Sequence, residues 1–122
     1  IGIGVAPLAD TKFNAAKSWL KPLEYCVAGV PWVPSPRAEY ARLHAEGAGL
    51  LANRPRDWQS ALSRVLASAD LRADLSGQGR EVAARWTIER NIEKWLDAWR
   101  SAIRFEQRAK SGDRRGTAPA TR

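Results

Sequence analysis

The sequence predicts an α/β fold, a parallel sheet with helices on both faces, on three observations. Three short apolar runs, around Ile1–Val5, Val30–Pro34 and Ala48–Asn53, have the length of strands rather than helices. Segments of helical periodicity lie between and after them, and short strands joined through helices run parallel, as in doubly wound folds. The chain has 122 residues, 44% apolar and 27% charged, a balance that fits one small globular domain and excludes a wholly disordered one.

Each element follows from local signals. Ile1, Ile3 and Val5 alternate with glycines and lead to Pro7, a short buried strand whose backbone something approaches closely. A polar loop is expected from Ala9 to Ala16. Pro22 belongs in a first helical turn, so a helix is expected to start near Lys21, bury Leu23 and Val27, and stop at Ala28 with Gly29 as a left-handed cap. Val30–Pro34 is the second strand, and Ser35 and Pro36 are the expected cap and first residue of a helix ending near Gly47. Ala48–Asn53 is the third strand candidate. Trp58, Ala61, Leu62, Val65 and Leu66 then fall at i, i+3, i+4, i+7 and i+8, an amphipathic helix. Leu71, Leu75, Val82 and Trp86 suggest another, with a bend or break expected at Gly77 and Gly79, each costing about 1 kcal/mol relative to Ala. Thr87 caps a last helix carrying Ile88, Ile92, Trp95, Leu96, Trp99 and Ile103 on one stripe and extending toward Lys110. The segment Ser111–Arg122 is expected to be disordered. No internal repeat is evident.

Composition narrows the function classes. One cysteine forms neither an internal disulfide nor a cysteine-based zinc site, so a reducing, cytoplasmic setting is expected. The opening stretch Ile1–Ala9 itself lacks a basic leader and no apolar run approaches the roughly 20 residues of a membrane span, so a soluble, unexported protein is expected. The chain starts at Ile1 and holds no methionine, which suggests a fragment with an upstream part missing. Net charge is +7, but residues 1–99 carry 13 basic and 11 acidic residues while residues 100–122 carry 7 and 2. The basic excess therefore belongs mainly to the C-terminal end, which weakens a nucleic-acid reading.

The residues that carry chemistry cluster in Asn14–Pro31. Ligands in α/β folds bind where strand ends run through loops into helix N-termini. There, Ser18, Trp19 and Leu20 offer backbone amides to a phosphate, Lys17 supplies a full charge, and Glu24, one turn in, is placed to accept hydrogen bonds from a vicinal diol such as a ribose. Together they describe a nucleoside-diphosphate site, although ordinary helix capping and dipole preferences produce the same pattern.

Val5–Tyr40 resembles the donor-binding region of GT-B type glycosyltransferases of the group-1 family. Asn14, Lys17, Ser18, Lys21, Leu23, Glu24, Tyr25, Gly29, Pro31 and Ser35 match its pattern in order and spacing, and the similarity extends over roughly residues 1–103. The resemblance implies a Rossmann-like parallel sheet with flanking helices, the back half of a GT-B donor-binding domain over residues 1–103, followed by a basic helix end and tail over 104–122. It implies donor binding by Lys17, Ser18, Trp19, Leu20 and Glu24, with Glu24 on the ribose hydroxyls and the others on the diphosphate of a nucleotide-sugar. Many members carry a second Glu eight positions earlier; here that position is Ala16, so the sugar and a catalytic residue are left unassigned. Transfer would proceed by charge stabilisation of the leaving diphosphate, without cofactor or metal, consistent with the lack of an Asp-x-Asp pair. The acceptor would be bound by a missing N-terminal domain, so the segment alone is expected to be inactive.

The remaining conspicuous residues favour structural roles. Cys26 sits among apolar neighbours, His44 on a short helix, and Trp58, Trp95 and Trp99 at core spacing; Trp19 alone lies in the ligand loop. Arg100, Arg104 and Arg108 form an i, i+4, i+8 stripe, most often a solvated face, which also admits a peripheral contact with the inner face of a membrane or with the missing domain. Two other classes stand beside the glycosyltransferase: a nucleic-acid-binding module using the basic C-terminal end, and a non-enzymatic interaction domain. Neither accounts for the Lys17–Ser35 block.

Overall fold

The computed structural model of the chain describes residues 2–113. The chain divides into two compact units, Ile1–Trp86 and Thr87–Arg122. In the first, β1 (Gly4–Ala6) leads through α1 (Lys12–Ala15) and α2 (Leu20–Ala28) to β2 (Trp32–Pro34), followed by α3 (Ala38–Ala45), α4 (Pro55–Ala67) and α5 (Ala69–Arg85). In the second, α6 runs from Ile88 to Asp113.

The expected Rossmann-like sheet with flanking helices is not what forms. The structure is mostly helical, and among the described residues the sheet has two parallel strands, with Gly4 opposite Trp32, Val5 opposite Val33 and Ala6 opposite Pro34. The first of these strands is Gly4–Ala6; the placement of Ile1 lies outside the described residues. Prolines explain why the third strand fails. Leu50 N donates to Trp32 O at 3.0 Å and Ala52 N to Pro34 O at 2.9 Å, so Ala48–Asn53 does run beside β2. A parallel ladder also needs return bonds, from the amides of residues 34 and 36 to the carbonyls of Leu50 and Ala52. Both are prolines, with no N–H to give. Half a ladder forms.

Around this narrow sheet, α2 and α5 pack together: Cys26, Trp32, Leu43, Ala48, Val82 and Ala83 form one buried cluster, bordered by Trp19, Leu23, Tyr25 and Trp86. A second cluster, Val33, Ala52 and Ala61, takes in Ile3, Leu50, Trp58 and Leu62. The α2 helix ends as expected, with Gly29 at φ 64°. Its buried face is shifted, however: Pro22 and Cys26 are buried, whereas Val27 is 68% exposed. The helix expected from Ser35 starts later. Ser35 is buried, and its hydroxyl accepts from Leu8 N at 2.9 Å instead of capping α3, whose N-cap is Arg37.

On α4, Ala61 and Val65 are buried as the periodicity requires, while Leu66 is exposed. The carboxylate of Asp57 accepts from Arg54 N at 2.8 Å and from Asn53 N at 3.3 Å, which fixes the start of this helix and holds the Asp57 carboxyl below the usual range. The α5 helix does not break at its glycines. It runs unbroken for 17 residues, because Gly79 lies against Cys26, with a Cβ there 3.4 Å from the Cys26 Cα, and tertiary packing outweighs propensity. A four-residue helix, α1, also stands inside the expected polar loop, started by the Thr11 hydroxyl, which accepts from Asn14 N at 3.1 Å.

The second unit is a single helix among the described residues. Its apolar stripe is therefore not buried within it: Ile88, Trp95, Trp99 and Ile103 are all more than half exposed, and the rings of Trp95 and Trp99 meet each other at 6.4 Å. The expected core role of these two tryptophans is not met, in contrast to Trp58. The side chain of Arg108 and all but the first three residues of Ser111–Arg122, where the sequence predicts disorder, lie outside the described residues; those three continue α6.

Two glycines separate packing from propensity. Gly49 holds φ 75°, and a Cβ there would lie 2.8 Å from the Trp32 ring; Gly77 has nothing within 4 Å. Gly49→Ala is expected to cost about 2 kcal/mol or more, and Gly77→Ala to stabilise by about 0.5–1 kcal/mol, both read from urea unfolding.

Candidate functional site

The loop after β1 is tied down at several points before it reaches α2. Leu8 N is held by the Ser35 hydroxyl, Asp10 pairs with Arg37 at 3.2 Å, and Arg37 also donates to Asn53 Oδ1 at 3.3 Å. These contacts join the carboxyl ends of β1, β2 and the third segment. Asn14 Nδ2 then donates to Ala9 O at 2.9 Å and Lys17 N to Asn14 O at 3.2 Å, closing the chain around α1 and delivering Lys17 to the entrance of α2.

That entrance is left open. Trp19 occupies the N-cap without making a side-chain cap bond, and Leu23 N is bonded to Trp19 O at 3.0 Å. Amides earlier in the first turn have no acceptor within the helix, and Pro22 contributes none. Lys17, Ser18, Leu20, Lys21, Glu24 and Tyr40 line one open cleft of about 330 Å³ at this point, near the lower end of small-ligand sites.

Four of the five residues expected to bind a donor, Lys17, Ser18, Leu20 and Glu24, thus border the same cleft. Trp19 is not among its lining residues. Its ring instead packs edge-on against Trp86 at 4.5 Å, with the Arg42 guanidinium 5.3 Å over it, so the side chain anchors the loop to the core while only its backbone faces the entrance. Two lining residues, Lys21 and Tyr40, lie beyond the set that the sequence assigns to the site. Lys21 is legible there, since it shares a helical face with Glu24 at i, i+3; Tyr40 is not, because it comes from α3, whose position depends on tertiary packing.

Electrostatics in the cleft are dominated by one pair. Lys21 Nζ lies 3.0 Å from Glu24 Oε2, and this hydrogen bond and charge hold the lysine above its ordinary range. Lys17 Nζ sits 5.4 Å over the Phe13 ring. Burial raises the Tyr40 phenol, with the nearby Tyr25 adding to the shift, so the hydroxyl stays protonated at neutral pH. The arrangement offers two cations, first-turn amides and a carboxylate to one ligand, which suits a phosphate next to a diol.

Other candidates resolve into structural roles. Burial raises the Cys26 thiol, which disfavours the reactive thiolate. His44 Nδ1 lies 3.1 Å from both Ala48 O and Gly49 O, partners that only a protonated Nδ1 can satisfy, so the ring fastens the end of α3 to the third segment. Among the described residues, no group of three or more His, Cys, Asp or Glu could hold a metal ion, and no helix is long and apolar enough to cross a membrane. No family model, curated protein or solved structure matches the chain.

The buried Ser35 hydroxyl is the contact that fixes where the loop leaves β1. Ser35→Ala leaves the Leu8 amide without its partner and is expected to lower stability by about 1–2 kcal/mol, while Ser35→Thr, which keeps a hydroxyl, should lose less; chemical denaturation of both variants checks this.

Proposed function

We propose that this chain holds the diphosphate and ribose of a nucleotide-sugar donor at the entrance of α2 and supports glycosyl transfer, as part of a polypeptide that also binds an acceptor. The observation that carries the reading is the convergence of Lys17, Ser18, Leu20, Lys21 and Glu24 on one cleft at an uncapped helix N-terminus. Lys17, Ser18, Lys21 and Glu24 are also among the residues that resemble the group-1 glycosyltransferase pattern.

Each residue has a role set by its chemistry. Lys17 offers a full positive charge to the diphosphate, and the first-turn amides add fixed dipoles that require no reorganisation when the leaving group gains charge. The Glu24 carboxylate has two oxygens, matching the two hydroxyls of a ribose. Tyr40, buried and protonated, gives the cleft a rigid wall. None of these side chains attacks or deprotonates anything in this account; their contribution is to bind the donor and stabilise its departing phosphate.

Calorimetric titration with UDP and GDP is expected to show saturable binding of one or both. Lys17→Ala and Glu24→Ala should each weaken it by about tenfold or more. A folded sample that binds neither nucleotide, or variants that bind like the parent, would contradict the reading.

A further inference from the structure

Donor binding by Lys17 and Glu24 leaves the Lys21–Glu24 pair without a role. Glu24 Oε2 is held by Lys21 Nζ at 3.0 Å, so a vicinal diol that engages both oxygens of the carboxylate competes with Lys21 for one of them. Both side chains of the pair are more than half exposed, so the pair is screened and weak. Lys21 borders the same cleft as Lys17, on the first turn of α2.

Resting on that reading, we infer that Lys21 is a ligand-switched residue: an arriving diol displaces it from Glu24, and the released ammonium joins Lys17 on the diphosphate. The exchange is favourable only when both halves of the ligand are present. A diol alone displaces Lys21 and leaves its ammonium without an anionic partner, and a phosphate alone draws Lys21 away and leaves the carboxylate beside an anion. A nucleoside diphosphate satisfies both at once. Lys21 thereby couples ribose recognition to diphosphate recognition and discriminates against nucleosides and free phosphates. It does so as an alternative partner for two groups, not as a fixed support for Glu24.

The two roles predict opposite signs. NMR titrations of the parent chain and of Lys21→Ala would use UDP and GDP, and separately uridine and guanosine. The switch predicts that Lys21→Ala weakens the diphosphate by about tenfold and tightens the matching nucleoside by up to about fivefold, because Glu24 is then free. Lys21→Arg should retain diphosphate binding to within a few-fold. If Lys21→Ala weakens nucleoside and diphosphate together, Lys21 orients Glu24 and the inference is overturned while the donor reading stands. Unchanged affinity for both ligands would overturn it equally. If the parent binds no diphosphate, or Glu24→Ala has no effect on it, the donor reading itself fails and takes this inference with it.

Discussion

The placement of backbone N–H groups around β2 is the constraint on which the rest of the structure depends. Pro31, Pro34 and Pro36 punctuate a strand that would otherwise sit at the centre of a wider sheet. Toward β1, the donors needed are present, and Ser35 N reaches Ala6 O at 3.1 Å. Toward the third segment, the donors at 34 and 36 are missing, and pairing stops at two one-way bonds. With so little sheet, the core has to be built from helices. The packing of α2 on α5, with Cys26 against Gly79 and Trp32 buried beneath, is the outcome.

A narrow sheet still sets the geometry of the candidate site. Its two strands and the third segment end on the same side, and their exits are bound together by Leu8–Ser35, Asp10–Arg37 and Arg37–Asn53. None of these residues lines the cleft. Their effect is to fix the path of a loop whose remaining freedom is then taken up by the α1 turn and by Trp19, wedged against Trp86. The polar side chains at the entrance of α2 thus stand on an anchored base while remaining exposed themselves, with Lys21 and Glu24 at 60% and 53%. Anchoring below and freedom above are what a site needs if it is to exchange internal pairs for ligand contacts.

How much of this is legible in sequence varies with the range of the interaction involved. The end of α2 at Gly29 and the course of α4 over Ala61 and Val65 depend on local rules, and the sequence contains them. Continuity of α5 through Gly77 and Gly79 does not, since it is decided by Cys26 from another helix. Val27 and Leu66 show the same limit: periodicity identifies an apolar face, but the packing partner decides which edge of it is covered. The failed third strand is different. Its cause, prolines two residues apart in "VPWVPSP", is in the sequence and is outweighed there by the apolar run of Ala48–Asn53. For the site, four residues of the Lys17–Glu24 stretch reach one cleft for local reasons: Leu20 and Glu24 stand i, i+4 on α2, and Lys17 and Ser18 lie in the short loop that runs directly into its N-cap. The packed ring of Trp19 and the arrival of Tyr40 require the tertiary fold.

If the open entrance of α2 receives a nucleoside diphosphate, binding must perturb that entrance and little else. Backbone amide shifts of the chain followed by NMR during addition of UDP and GDP test this most directly, since they report location as well as binding. The expected result is that the largest changes fall on Lys17–Lys21 and around Glu24, with His44 and Arg64, which border a separate cleft, unmoved. Changes concentrated on the basic end of α6, or spread evenly over the lysines and arginines, would contradict it and point to nonspecific attraction of an anion by a basic chain.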